Sequence, residues 1–218
     1  MTLSPGVGTW SDAWDGHQRE SDASVVEKSW ETPDVFAVLF DRYADDIHRY
    51  VARRLGVDAA DDLMAETFVI AFQRRRRYDL TQTQARPWLY GIATNLVGRH
   101  RRVEARRLRA LSRAAAYGGD TEGEPMEDRI AERDSAERAA RVLAGALAEL
   151  PARHRDVLLL VAWGGLDYTE TARSLGIPVG TVRSRLHRAR AQLRKSSGSM
   201  DTQDALRATA PPKEHDHG

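Results

Sequence analysis

The sequence predicts an all-α fold: two small helical domains joined by a flexible acidic linker, the second a four-helix domain containing a helix-turn-helix. Three observations predict it. Apolar residues recur at helical spacing through most of the 218 residues, while the alternating β-branched residues that mark strands are absent. Charge is segregated into blocks, so that a net charge of only +1 hides a chain in which 30% of residues are charged. The stretch from Leu166 to Leu193, LDYTETARSLGIPVGTVRSRLHRARAQL, reads as helix, tight turn and basic helix.

Residues 1–33 are poor in periodic apolar content and end in Thr32-Pro33, which predicts a disordered tail. Trp10, Trp14 and Trp30 are unusual there, either docking on a partner or incidental. The first domain spans residues 34–114. Phe36, Leu39, Phe40, Tyr43, Ile47 and Tyr50 form a helical stripe that continues to Leu55, where Gly56 stops the helix. A second helix begins near Asp58, with Leu63, Thr67, Phe68, Ala71 and Phe72 inward and Asp61, Asp62, Ala65, Glu66 and Val69 nearer the outside. Gln73 to Arg86 breaks the pattern and reads as a basic, polar loop. Pro87 suits the first residue of another helix, whose apolar side carries Trp88, Leu89, Ile92 and Leu96, with Val103 as a further candidate. Beside Leu89 and Ile92, Trp88 reads as core rather than as a wedge into a duplex. Further on, Arg99, Arg102, Arg106, Arg109 and Arg113 recur at three, four, three and four, along one helical face. That face is either a phosphate-tracking stripe or a solvated surface.

Charge sign then inverts. The linker, residues 115–137, is rich in acids from Asp120 to Glu137 and contains Gly118-Gly119 and Pro125. The second domain spans residues 138–196, with helical pattern resuming near Ser135 through Val142, Leu143, Ala146, Leu147 and Leu150. Pro151 opens a helix carrying Val157, Leu158, Leu160 and Val161, and Gly164-Gly165 breaks it. Thr169 is expected to cap the next, short helix, with Ala172 and Leu175 inward; Gly176 supplies a positive φ and Pro178 restarts the chain. In the last helix Val182, Leu186, Ala189 and Leu193 fall on one stripe, which at 3.6 residues per turn is the buried face. Ser184, His187, Arg188 and Lys195 lie opposite, with Arg183 and Arg185 on the flanks. Flanking arginines suit the phosphates bordering a major groove, and the central row suits base edges. Thr181, at the helix start, joins the same candidate DNA-binding set. Residues 197–218 turn to Ser, Gly, Pro and charge and read as a disordered tail, in which His215 and His217 are solvated rather than metal-binding.

Several function classes are excluded. Without cysteine there is no disulfide, thiolate metal site, cysteine nucleophile or direct thiol sensing. No apolar run is long enough for membrane insertion, and the acidic start is unlike a secretory signal, so a cytoplasmic protein is expected. Asp61, Asp62 and Glu66 could be read as a metal-binding cluster, but they share one helix without a histidine or a second carboxylate-bearing segment in register. The expectation is therefore no enzyme, no catalytic residue, no metal, no cofactor and no small-molecule substrate.

With these pieces in place, the chain resembles the extracytoplasmic-function (ECF) sigma factors, the minimal two-domain class of RNA polymerase specificity subunit. The first domain carries DDLMAETFVIAF and RPWLYGIATNLVGRHRR; the second carries LAELPARHRDVLLL and GLDYTETARSLGIPVGTVRSRLHRARAQLR. The resemblance implies core RNA polymerase and promoter DNA as partners, with an anti-sigma factor as a further one. It implies that the first domain binds polymerase and captures the minus-ten element as single strand, and that the second reads the minus-thirty-five element as duplex. Asp61, Asp62, Leu63 and Glu66 are then the polymerase-binding candidates, an acidic patch around an apolar centre, although chemistry without the resemblance favours a solvated helix face. Arg76, Arg77, Tyr78, Asp79 and Gln84 combine cations for phosphate with an aromatic and polar groups for an extruded base. Asn95 looks like the family's asparagine on the following helix, and Arg99, Arg102 and Arg106 follow as backbone contacts. Many family members place an acid where this chain has Arg99, so no family salt bridge transfers to it. The rival reading is an ordinary helix-turn-helix regulator acting without replacing a sigma subunit.

Overall fold

The computed structural model describes residues 20–117 and 143–196, with side chains for 20–106 and 143–195. Trp10 and Trp14, most of the acidic linker, Val142 and the tail with His215 and His217 lie outside the described residues. Among the described residues every regular element is helical. Helix α1, Asp22–Lys28, leads through a 3₁₀ turn at Pro33–Phe36 into α2, Ala37–Leu55. Helix α3, Ala60–Arg74, is followed by a 3₁₀ turn at Arg75–Arg77 and then by α4, Arg86–Tyr117. A helix whose described part is 143–149, α5, precedes α6 (Ala152–Ala162), α7 (Tyr168–Leu175) and α8 (Val179–Ser196). Two compact units, residues 1–92 and 93–218, divide inside α4. Composition places the boundary after residue 114 instead; α4 has no proline after Pro87 and no glycine after Gly98, so nothing breaks it before Tyr117.

The expected disordered tail is overturned for residues 20–33. Ser21 caps α1, its hydroxyl accepting the Ser24 N–H, and Ala23, Val25 and Val26 are buried. A two-turn helix is too short to show periodicity and too short to persist alone, so its stability is tertiary. Asp22 supplies much of it. The carboxylate is buried and accepts hydrogen bonds from Arg42 (2.6 Å), the Tyr43 hydroxyl (2.6 Å) and the Ala85 N–H (2.7 Å). Trp30, expected to be loose, is half-buried and donates its indole N–H to the Arg75 carbonyl.

In α2 the inward stripe is Leu39, Ile47, Tyr50 and Val51, and the helix ends at Gly56 with φ +92°, a conformation glycine adopts without penalty. Phe40, expected inside, is 41% exposed, although its ring meets Phe68 of α3 edge-on. Helix α3 buries Ala60, Leu63, Thr67, Phe68 and Ala71 and packs on α2. Leu89 and Tyr90 bring the start of α4 into this core, with Tyr90 meeting Tyr50 at 5.0 Å.

In the second unit α8 packs on α6 and α7. Burial runs through Val157, Leu158, Leu159 and Leu160 without a gap, because α6 is covered by both neighbours and its apolar arc widens beyond a single stripe. Helix α5 is tied on by Arg155, which donates to the Leu147 carbonyl, and by Gln192, which donates to the Glu149 carbonyl.

Candidate nucleic-acid interface

The helix-turn-helix is set by local chemistry at each corner. Asp167, not Thr169, caps α7: its carboxylate accepts the Glu170 N–H (2.7 Å) while the Glu170 carboxylate accepts the Asp167 N–H (2.8 Å). This reciprocal capping box satisfies two orphan donors with two charged acceptors, which a threonine two residues further on cannot match. Gly176 ends α7 in the left-handed conformation, φ +61° and ψ +39°. Its N–H bonds the Arg173 carbonyl, and the Ile177 N–H bonds the Ala172 carbonyl. The Pro178 carbonyl then accepts from Thr181 and Val182, starting α8.

Val182, Leu186, Ala189 and Leu193 are at most 2% exposed, so α8 is seated by its apolar face. Each fully buried valine or leucine stabilises by roughly 1.5–3 kcal/mol. The predicted outer row is present. Arg183, Ser184, His187, Arg188 and Lys195 are exposed, while Thr181 and Arg185 are half-buried on its edges. The Ser184 hydroxyl donates to the Thr181 carbonyl (3.0 Å), leaving its oxygen lone pairs outward as acceptors. Beneath this helix sits His154 of α6, buried, with neither ring nitrogen hydrogen-bonded among the described residues. Burial, reinforced by Arg153, Arg188 and Arg185, pushes its imidazole below the ordinary value.

On the first unit the segment after α3 is more ordered than a polar loop. Arg76, Arg77, Asp79 and Gln84 are exposed, as a nucleic-acid contact requires. Tyr78 is not: it is 8% exposed, its ring packs on Trp88 and its hydroxyl donates to the Gln82 carbonyl (2.6 Å). A buried phenol cannot offer a face to an extruded base, so the stacking role expected for Tyr78 is withdrawn. Asp79 organises the tip, accepting from the Thr81 hydroxyl, the Thr81 N–H and the Gln82 amide, which hold its carboxyl below the usual carboxylate range. Asn95, Arg99, Arg102 and Arg106 are exposed along α4, and Arg106 donates to the Arg102 carbonyl.

The acidic face of α3 also needs one correction. Asp61 and Asp62 are exposed and Glu66 is half-buried, but Leu63 is only 6% exposed. Leu63 shares the inward arc with Ala60, Thr67 and Ala71, so it cannot be the apolar centre of a docking patch. Val69 is 53% exposed and, at 100° per residue, lies beside Asp62 and Glu66. Among the described residues no group of three or more histidine, aspartate or glutamate side chains is placed to hold a metal ion.

Two family models match: "Sigma-70 region 2" over residues 39–107 and "Sigma-70, region 4" over residues 140–193. The chain is 34% identical to the ECF RNA polymerase sigma factor SigL of Mycobacterium tuberculosis over 177 residues, covering 81% of this chain and 93% of that protein. The chain belongs to the ECF RNA polymerase sigma factors. SigW of Bacillus subtilis is also similar, 31% identical over 166 residues, 74% of this sigma factor and 88% of SigW. The solved structure of CnrH in complex with the cytosolic domain of CnrY shares the fold, with a TM-score of 0.55, 23% identity, and coverage of 80% of this chain and 95% of that one. RpoE of Bartonella quintana, solved with the anti-sigma factor NepR, gives 0.53 and 20% identity over 75% of this sigma factor and 97% of RpoE. As a sigma factor the protein directs RNA polymerase to promoters, and sigma factors are initiation factors rather than enzymes. No helix among the described residues is long and apolar enough to cross a membrane.

Proposed function

We propose that this sigma factor divides promoter reading between two modules. The second, residues 138–196, reads the minus-thirty-five element as duplex, with Ser184, His187 and Arg188 at base edges and Thr181, Arg183 and Arg185 at the bordering phosphates. The first, residues 34–114, holds the minus-ten element as single strand through Arg76, Arg77, Asp79 and Gln84, with Asn95, Arg99, Arg102 and Arg106 along the backbone path. The single observation that carries this reading is the exposed polar and basic row of α8 opposite a fully buried apolar stripe. Asp61, Asp62 and Glu66, with Val69 as the apolar component, form the polymerase-docking face. The charge of that face suits a basic partner surface and is sensitive to salt.

Neither module needs high affinity. Once one is engaged on polymerase, the other binds intramolecularly, at an effective concentration set by the linker. An anti-sigma factor is the expected restraint, in keeping with the similar fold of RpoE solved with NepR, and the cytoplasm is the expected site of action. Run-off transcription with purified core polymerase on fragmented genomic DNA tests the whole. Discrete start sites that depend on the added chain, with permanganate-reactive thymines at those starts, are expected. Tight operator binding by the isolated chain, with no transcription on adding core, would replace this reading with that of a helix-turn-helix regulator.

A further inference from the structure

The two-turn α1 and the two residues that follow it, Ser29 and Trp30, grip the segment between α3 and α4 at both ends. At the near end the Trp30 indole donates to the Arg75 carbonyl (3.3 Å), Arg75 Nε donates to the Ser29 carbonyl (3.2 Å) and Arg76 donates to the Trp30 carbonyl (3.1 Å). The Arg75 guanidinium carbon also lies 3.8 Å from the centre of the Phe72 ring, and Arg75 donates to the Phe72 carbonyl. At the far end the Asp22 N–H donates to the Thr83 carbonyl (3.1 Å), and the Asp22 carboxylate accepts the Ala85 N–H. Arg42 and Tyr43 hold that carboxylate from α2. Between these clasps stand Arg77, Asp79 and Gln84, all exposed.

Directional bonds do here what apolar contact does not. An apolar side chain tolerates sliding, whereas a buried carboxylate with both oxygens engaged fixes the distance and direction of each donor. Recognition of a base edge needs the recognising groups held within about 0.5 Å. Burial and the bond to Asp22 raise the Tyr43 phenol far above its ordinary value, so Tyr43 remains a donor at any working pH.

We propose that Asp22 is a positioning residue for minus-ten selectivity: it holds the segment from Arg75 to Ala85 in one path, so that Arg77, Asp79 and Gln84 face the melted strand together. The inference rests on assigning that segment to the minus-ten strand, as above.

The test uses the full chain with core polymerase and promoter pairs that differ only in the minus-ten or only in the minus-thirty-five bases. Asp22→Asn keeps the volume and removes the charge and one acceptor. It is expected to lower minus-ten discrimination by about tenfold, the equivalent of one charge-assisted hydrogen bond. Minus-thirty-five discrimination and core binding should stay as in the parent chain, and hydrogen exchange at the Ala85 amide should quicken. If Asp22→Asn does not fold, Tyr43→Phe decides: a smaller loss of minus-ten discrimination with core binding intact supports the proposal, and unchanged discrimination overturns it. Equal loss at both promoter elements would make Asp22 merely structural and also overturn it. Arg77→Ala and Gln84→Ala separate the two levels. If these relax minus-ten discrimination while Asp22→Asn does not, the inference about Asp22 fails alone; if they leave it unchanged, the assignment of the segment fails and takes the inference with it.

Discussion

The indole of Trp88 lies against the phenol ring of Tyr78, centroids 4.9 Å apart and planes inclined at 53°. The pair joins the segment after α3 to the first turn of α4, and the Tyr78 hydroxyl closes the turn onto Gln82. Tyr78→Phe keeps the ring contact and should cost about 1 kcal/mol for the lost hydrogen bond. Tyr78→Ala should cost about 3–5 kcal/mol, since a buried aromatic is removed. Urea unfolding followed by circular dichroism measures both, and equal losses would show that the ring contributes nothing.

On α8, Arg188→Ala should weaken transcription selectively at promoters carrying the native upstream element, by about 1–3 kcal/mol for one good base contact. Arg183→Ala should instead weaken all promoters alike, as loss of a phosphate contact does. Run-off assays on a panel of upstream sequences distinguish the two, and a uniform loss for Arg188→Ala would remove it from the base-reading row.

Gly176 sits at φ +61°, and a Cβ added there would meet nothing within 4 Å. Gly176→Ala therefore carries backbone strain without a clash, about 1–2 kcal/mol. Gly176→Asn should cost less, because asparagine tolerates the left-handed region. Thermal unfolding that ranked alanine as stable as glycine would contradict the turn geometry.

His154 gives the second unit a pH dependence. Its folded-state value is depressed by burial and by Arg153, Arg188 and Arg185, so the folded unit holds it neutral. Above the unfolded value of about 6.5 neither state is protonated and stability is complete. As pH falls below that value the unfolded chain takes up a proton first, and stability declines toward the lower folded-state value. Protection of the Ala189 and Leu193 amides from hydrogen exchange should fall between about pH 7 and pH 5.5, a window set by that unfolded value. His154→Gln should flatten the decline, and an identical slope in both chains would rule His154 out.

Periodicity made the inner stripe of α8 legible, because a helix declares its buried face every three or four residues, and glycine's tolerance of positive φ made the ends at Gly56 and Gly176 legible. What stayed hidden depends on contacts distant in sequence. Asp22 reads as one acid among several in a polar stretch, and only folding brings it to Arg42, Tyr43 and Ala85. Tyr78 reads as an exposed aromatic in a basic loop until Trp88 covers it. Phe40 lies near the edge of its apolar arc, where spacing does not decide between core and surface; spacing places Leu63 inward, as found, and only the family resemblance assigns it an outward role. The capping error at Thr169 is of another kind: the box formed by Asp167 and Glu170 is written in the sequence, and the acid three residues after Asp167 is the signal that identifies it.

That the apolar seat of α8 is Val182, Leu186, Ala189 and Leu193, opposite the outer row, has an evolutionary consequence. Codons for Ser184, His187 and Arg188 can mutate without eroding thermodynamic stability, so a duplicated copy is free to acquire a different set of regulated genes. Divergence of targets among such paralogues is thereby uncoupled from the maintenance of a foldable chain.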